Sequence, residues 1–141
     1  MKSSIDKFIK AHEQWFDIAY SEIKEGRKRN HYMWFIFPQI YGLGSSETSR
    51  YYAIKNKSQL FSFYNNTYLR HNILTLSSTL LNLSSNNPKE IFGEVDSLKL
   101  KSSMTLFYLV TGNIIFKQVL DKYYKGEMDE LTLALMKKLE F

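Results

Sequence analysis

At 141 residues, with 44% hydrophobic and 16% aromatic side chains, the chain is long and apolar enough for one packed core, and its composition excludes the disordered class. It contains no cysteine, which excludes disulfides, thiolate zinc sites and a cysteine nucleophile. The formal charge of +5 suits an anionic partner, and equally an ordinary basic, solvated surface.

The start of the chain, Met1 to Lys10, has no apolar h-region and carries Asp6, so no signal peptide is expected. The longest apolar run, Met33 to Pro38, is far short of the ~20 residues that span a bilayer, which predicts a cytoplasmic protein with no membrane partner. No repeat and no proline-rich or glycine-rich linker divides residues 1–141, so one domain is expected.

The first segment, Ser4 to Lys24, spaces Ile5, Phe8, Ile9, Phe16, Ala19, Tyr20 and Ile23 close to a helical period. Ser4 is the expected N-cap and Gly26 the expected stop. Glu13, Asp17 and Glu22 are expected to face solvent, with a turn of Asp17 toward a basic pocket as the alternative. His31 to Pro38 is nearly all aromatic and apolar, and periodicity does not separate a buried strand from a short buried helix there. Gly42 and Gly44 follow as a turn where backbone can approach a ligand or a neighbouring segment. Ser46 to Ile54 can form a short helix, and Ser58 is positioned to cap the next.

A longer helix is expected over Tyr68 to Leu83, with Leu69, Ile73, Leu76, Leu80 and Leu83 on one face. Pro88 suits a first helical turn. Asp96 is the expected cap of a helix reaching about Val110, with Gly112 as its stop. Asn113 and Asp129 are expected to cap the last two helices, the first of them ending before Gly126. The pattern predicts an all-α, multihelical domain of about six to eight helices, with α/β as second choice.

Two segments stand out. One is His31-Tyr32-Met33-Trp34-Phe35-Ile36-Phe37-Pro38-Gln39, followed by Gly42-Leu43-Gly44, Ser46, Tyr52 and Ile54. The other is Ile91-Phe92-Gly93, Asp96 and Lys99-Leu100-Lys101-Ser102-Ser103-Met104-Thr105-Leu106-Phe107. With Val119, Leu120, Tyr123, Gly126, Asp129, Thr132 and Leu133, they resemble the bacterial family known as domain of unknown function 1810, which sometimes carries the mislabel calpastatin. The likeness runs from about Ile5 to Met136. Tyr32 stands where that family often has tryptophan, and Asn30 where it often has serine. The resemblance implies a compact multihelical fold and no established reaction.

Each segment also carries candidate chemistry beside a plainer role. Met33, Trp34, Phe35 and Phe37 read as core, while Trp34 could present a stacking surface. His31, between a basic turn and an apolar run, could transfer protons near neutral pH or simply bond to backbone. No metal site is expected, because His12 and His71 have no ligand spacing with His31. Gln39, Gly42, Gly44 and Ser46 could bind an anion through side chain, free N–H groups and a helix start, or could form a tight turn with a capping serine. No P-loop pattern is present.

On a helix, Lys99 shares a face with Ser102 and Ser103. A Ser–Lys dyad lacks any accompanying oxyanion motif. Phosphate binding by Lys99, Lys101 and Ser102 is the more natural chemistry, and close helix packing by the serines is the plain alternative.

The expectation is a pocket between the two segments for a small anionic ligand: a nucleotide, or a phosphorylated or ADP-ribose-like metabolite. His31 and Lys99 are the catalytic candidates. Trp34, Gln39, Gly42, Gly44, Ser46, Tyr52, Lys101, Ser102 and Ser103 are the binding candidates, and Phe37 is a further wall. No cofactor motif is present, and nothing fixes an oligomeric state. The rival expectation is a non-catalytic module for nucleic acid or protein, although no recognised nucleic-acid motif occurs.

Overall fold

The computed structural model describes residues 5–141. Among these it contains eight helices, with α1 at Asp6–Lys24, α2 at Met33–Ile36, α3 at Glu47–Tyr52 and α4 at Lys57–Tyr64. The others are α5 at Thr67–Asn82, α6 at Pro88–Thr111, α7 at Ile114–Tyr124 and α8 at Glu130–Lys138. The expected cap Ser4 lies outside the described residues.

The helix starts follow side-chain chemistry. Ser46, Asn56, Asn66, Asn87, Asn113 and Asp129 each accept a backbone N–H in the first turn that follows, which satisfies a donor the helix cannot pair. Two expected caps are therefore corrected. Ser58 lies inside α4, which Asn56 caps through Gln59 N–H. Asp96 lies inside α6, whose cap is Asn87 and whose first residue is Pro88.

Gly93 is the reason the sequence suggested a later start for α6. At φ 78° and ψ 174° it breaks the helical backbone after the first turns, in a conformation open to glycine alone. The break leaves the Ile91 carbonyl free to accept Lys28 N–H at 2.7 Å, tying the loop after α1 to α6.

The segment left open between strand and helix is the single turn α2, with Met33, Phe35 and Ile36 buried. No strand forms among the described residues. A lone parallel bridge joins Ile40 to Ile54: Tyr41 N–H reaches the Ile54 carbonyl at 2.9 Å, and Ile54 N–H the Gln39 carbonyl at 2.8 Å. Both isoleucines are buried, so the Gln39–Tyr41 turn is held against the segment that follows α3.

The core lies between α1, α5, α6 and α7, with α6 as its spine. Ser102 to Phe107 are all buried. No helix among the described residues is long and apolar enough to cross a membrane.

Two buried polar residues hold α2 in place. His12 Nε2 lies 2.7 Å from the Phe35 carbonyl, a helix-end acceptor with no helical donor, and its Nδ1 lies 3.0 Å from the Asn72 amide. Burial lowers the imidazole pKa to about 4, and the Phe35 carbonyl offsets this only in part.

Glu22, expected at the surface, is buried. One carboxylate oxygen accepts from Arg29 N–H at 2.7 Å, Asn30 N–H at 3.1 Å and the Tyr32 hydroxyl at 2.8 Å, and the other accepts from the Asn30 amide. Burial alone would raise the carboxyl pKa, but these donors outweigh it and hold it below the ordinary value. The helical period placed Glu22 beside buried Ile23, yet only the return of the 29–32 loop supplies its donors.

Candidate functional site

The buried turn α2 leaves Trp34 partly exposed, and beside it an open cavity of about 290 Å³ forms. Its walls come from four parts of the chain. The first segment supplies Trp34, Gln39, Ile40, Gly42, Leu43 and Gly44, and α3 supplies Ser49 and Arg50. From α6 come Val95, Leu98, Lys99 and Ser102; Asp129 and Leu131 come from the start of α8. The two segments singled out in the sequence therefore meet in one cavity, at the lower end of the ~300–1,000 Å³ usual for small-molecule sites.

The turn that lines the cavity needs its glycines for packing. Gly42 has φ +109°, and a Cβ there would meet the Leu135 side chain at 3.0 Å. A Cβ on Gly44 would come within 2.4 Å of Ser49 Oγ. Ser46 Oγ caps α3 by accepting Ser49 N–H at 3.1 Å, and it lies outside the lining.

The charges are arranged around Asp96. Its carboxylate takes Lys28 Nζ at 2.6 Å on one oxygen and Lys99 Nζ at 3.4 Å on the other. Lys28 is almost wholly buried, with its ammonium 4.8 Å from the centroid of the Tyr32 ring. Lys99 Nζ lies 5.3 Å from the Trp34 ring centroid, a cation–π distance. Two ammonium groups share one carboxylate, so this side of the cavity keeps a net positive charge. Arg50 adds another cation, and its guanidinium has no ion-pair or hydrogen-bond partner among the described residues.

The opposite sign enters at α8. Asp129 caps the helix, and its Oδ2 accepts both the N–H and the hydroxyl of Thr132. The Thr132 oxygen lies 2.7 Å from Ser102 Oγ. The Gln39 side-chain amide has no partner among the described residues.

The remaining candidates stand elsewhere. His31 is exposed and outside the lining. Lys101 pairs with Glu127 at 3.7 Å, beside a separate shallow hollow on α8. Tyr52 lines another hollow with Lys7 and Trp15, against Phe8 and Phe35. Ser103 is fully buried, and its hydroxyl has no partner among the described residues. Phe37 is fully buried, packed on Phe92. No group of acidic or histidine side chains that could hold a metal ion occurs among the described residues.

Sequence reasoning missed Arg50, Asp129 and the apolar rim of Val95, Leu98 and Leu131. A signal for part of it was present: Val95, Leu98, Lys99 and Ser102 follow an i, i+3, i+4, i+7 spacing, which marks a second face on α6. Asp129 was read as a cap, and it is one. Its other oxygen was not legible from capping alone.

An all-helical fold with an open, ligand-sized cavity of mixed polarity is thus the class the structure defines. The family model described as "Protein of unknown function (DUF1810)" matches residues 2–136, so the chain belongs to that family. Its structure is similar to the crystal structure of the conserved hypothetical protein Rv1873 from Mycobacterium tuberculosis, at 36% identity and a TM-score of 0.89. The match covers 93% of this chain and 94% of that one. No curated protein matches.

Proposed function

We propose that the chain binds a small anionic ligand, of the nucleotide, phosphorylated-metabolite or ADP-ribose-like class, in the cavity between α2, α3, α6 and α8. One observation carries this reading. Segments more than fifty residues apart contribute Trp34, Gln39, Lys99 and Ser102 to one open cavity, and Arg50 stands in the same cavity as an unpaired cation.

An unpaired guanidinium and an ammonium beside an indole suit an anion attached to a flat or apolar body. Trp34, Ile40, Leu43 and Leu98 supply apolar wall for that body. The reading concerns binding. His31 stands outside the lining, so Lys99 has no imidazole partner there for acid–base chemistry.

Thermal stability screened against nucleotides and phosphorylated metabolites tests the proposal. A ligand at about 100 times its dissociation constant raises stability by roughly 2.7 kcal/mol. Arg50→Ala and Lys99→Ala should each reduce that gain while the unliganded protein keeps its fold. A library without a stabilising anion, or stabilisation untouched by both substitutions, would sink it.

A second reading, a non-catalytic protein-binding module, draws on the exposed rim, where Val95, Leu98 and Leu131 are 67%, 60% and 55% exposed. It predicts that a charged residue at Leu98 abolishes a protein partnership and that no anion in the screen stabilises the protein.

A further inference from the structure

The wall built by α6 and α8 has a direction of hydrogen bonding that its partners dictate. Thr132 has one hydroxyl proton, and it is given to Asp129 Oδ2 at 2.6 Å. The same carboxylate oxygen accepts the Thr132 backbone N–H at 2.9 Å, which fixes it as an acceptor. Ser102 Oγ lies 2.7 Å from Thr132 Oγ1. With the threonine proton already committed, Ser102 must be the donor in that contact. Its remaining capacity is that of an acceptor, and it lines the cavity.

Asp129 lines the cavity too, and its Oδ1 has no hydrogen-bond partner among the described residues. Ser102 and Thr132 are buried at 2% and 0% exposure, so water does not readily reorient the chain of hydroxyls. This wall accepts hydrogen bonds and offers none. The Lys99 and Arg50 side of the cavity only donates.

We infer that the ligand of this cavity carries a hydrogen-bond donor, a hydroxyl, amino or ring N–H group, beside its anionic group, and that Asp129 selects for it. The inference rests on the anion-binding reading above. Lys99 precedes Ser102 by about one turn of α6, so the cationic and accepting parts of the wall follow one another along the same helix. A phosphorylated sugar or a nucleotide satisfies both parts. An aryl phosphate without donors satisfies the cationic part alone and brings its charge near Asp129 with nothing to offset it.

The test is calorimetric titration of the wild type and Asp129→Asn with ribose 5-phosphate, adenosine 5′-monophosphate and phenyl phosphate. Asparagine caps a helix as well as aspartate does, so the substitution removes the charge and the free acceptor while keeping the cap. At least one donor-bearing phosphate should bind the wild type about tenfold tighter than phenyl phosphate, as expected of a hydrogen bond to a charged group. Asp129→Asn should lose about that factor for the donor-bearing ligand and hold phenyl phosphate as well as before, or better. A merely structural role for Asp129 would shift all three ligands together.

Ser102→Ala, which removes the neighbouring acceptor, provides an independent variant and should weaken the same ligand selectively. Wild-type binding that both variants preserve within about twofold, or lose equally for every ligand, overturns donor selection and leaves the anion site standing. Failure of all three phosphates to bind the wild type overturns the anion site and this inference with it.

Discussion

Two groups of polar side chains lie against the apolar core, and they differ in whether their hydrogen bonds close on themselves. Around Glu22 and His12 every polar atom meets a partner from the same chain: Arg29, Asn30 and Tyr32 on the carboxylate, Phe35 and Asn72 on the imidazole. Around the cavity, Arg50, the Gln39 amide and Asp129 Oδ1 have no partner among the described residues, although they lie beside closed contacts such as Lys28–Asp96. A buried polar group is costly unless paired, so a closed network holds elements in register. An open set at the edge of a cavity leaves its hydrogen-bonding capacity for something else. The two groups call for opposite responses to mutation.

The largest effect is expected in the closed group. Glu22→Ala leaves two backbone N–H groups and the buried Tyr32 hydroxyl without their acceptor, and should cost roughly 3–5 kcal/mol in urea unfolding. A loss under about 1 kcal/mol would show that water replaces the carboxylate, which would erase the distinction between the two groups.

His12 makes the next prediction, through pH. Its folded pKa of about 4 lies below the unfolded value, so between these values the unfolded chain binds the extra proton. Stability from the neutral imidazole is full above about pH 6.5 and falls as the pH drops toward 4, by roughly 3 kcal/mol in all. Glu22, held below its ordinary pKa, adds loss in the same direction at lower pH. Unfolding measured across this range should show the slope, and His12→Phe should be less stable but flatter between pH 6.5 and 4.

Trp34 sharpens the contrast because it belongs to both regions. It stands on the turn that His12 holds, yet it is only partly buried and lines the cavity. Trp34→Ala should cost about 1–2 kcal/mol, less than the ~3–5 kcal/mol of a fully buried ring, and should weaken any anion that binds. A core-sized loss with binding intact would assign the ring to the core alone.

The smallest stability change is expected at Arg50. Arg50→Ala should leave unfolding within about 0.5 kcal/mol of the wild type, since nothing in the protein depends on the guanidinium. Its effect should appear only as weaker ligand binding. A large loss of stability would mean that Arg50 belongs to a closed network after all.

Local chemistry was legible where it acts over a few residues. The 3.6-residue spacing of Leu69, Ile73, Leu76 and Leu80 marked α5, and the capping residues Asn113 and Asp129, with Gly112 and Gly126 as stops, marked the ends of later helices. Caps were misjudged where two candidates lay close together, as with Asn56 and Ser58, because only the backbone path decides which side chain meets the free N–H. Pro88 was legible as a first helical turn, but Asp96 was misread as a cap because a glycine break within a helix looks, in sequence, like a gap before one.

The sequence by itself determined the helical class and family, together with two segments that line part of the cavity. Period, capping and motif order are properties of neighbours along the chain. Tertiary structure alone decided that Glu22 is buried, that His31 lies outside the cavity that Lys99 lines, and that Arg50 and Asp129 share that cavity with Trp34. Those facts depend on which distant carbonyl, amide or helix arrives beside a side chain. The same residue is closed or open according to the partner that the fold delivers.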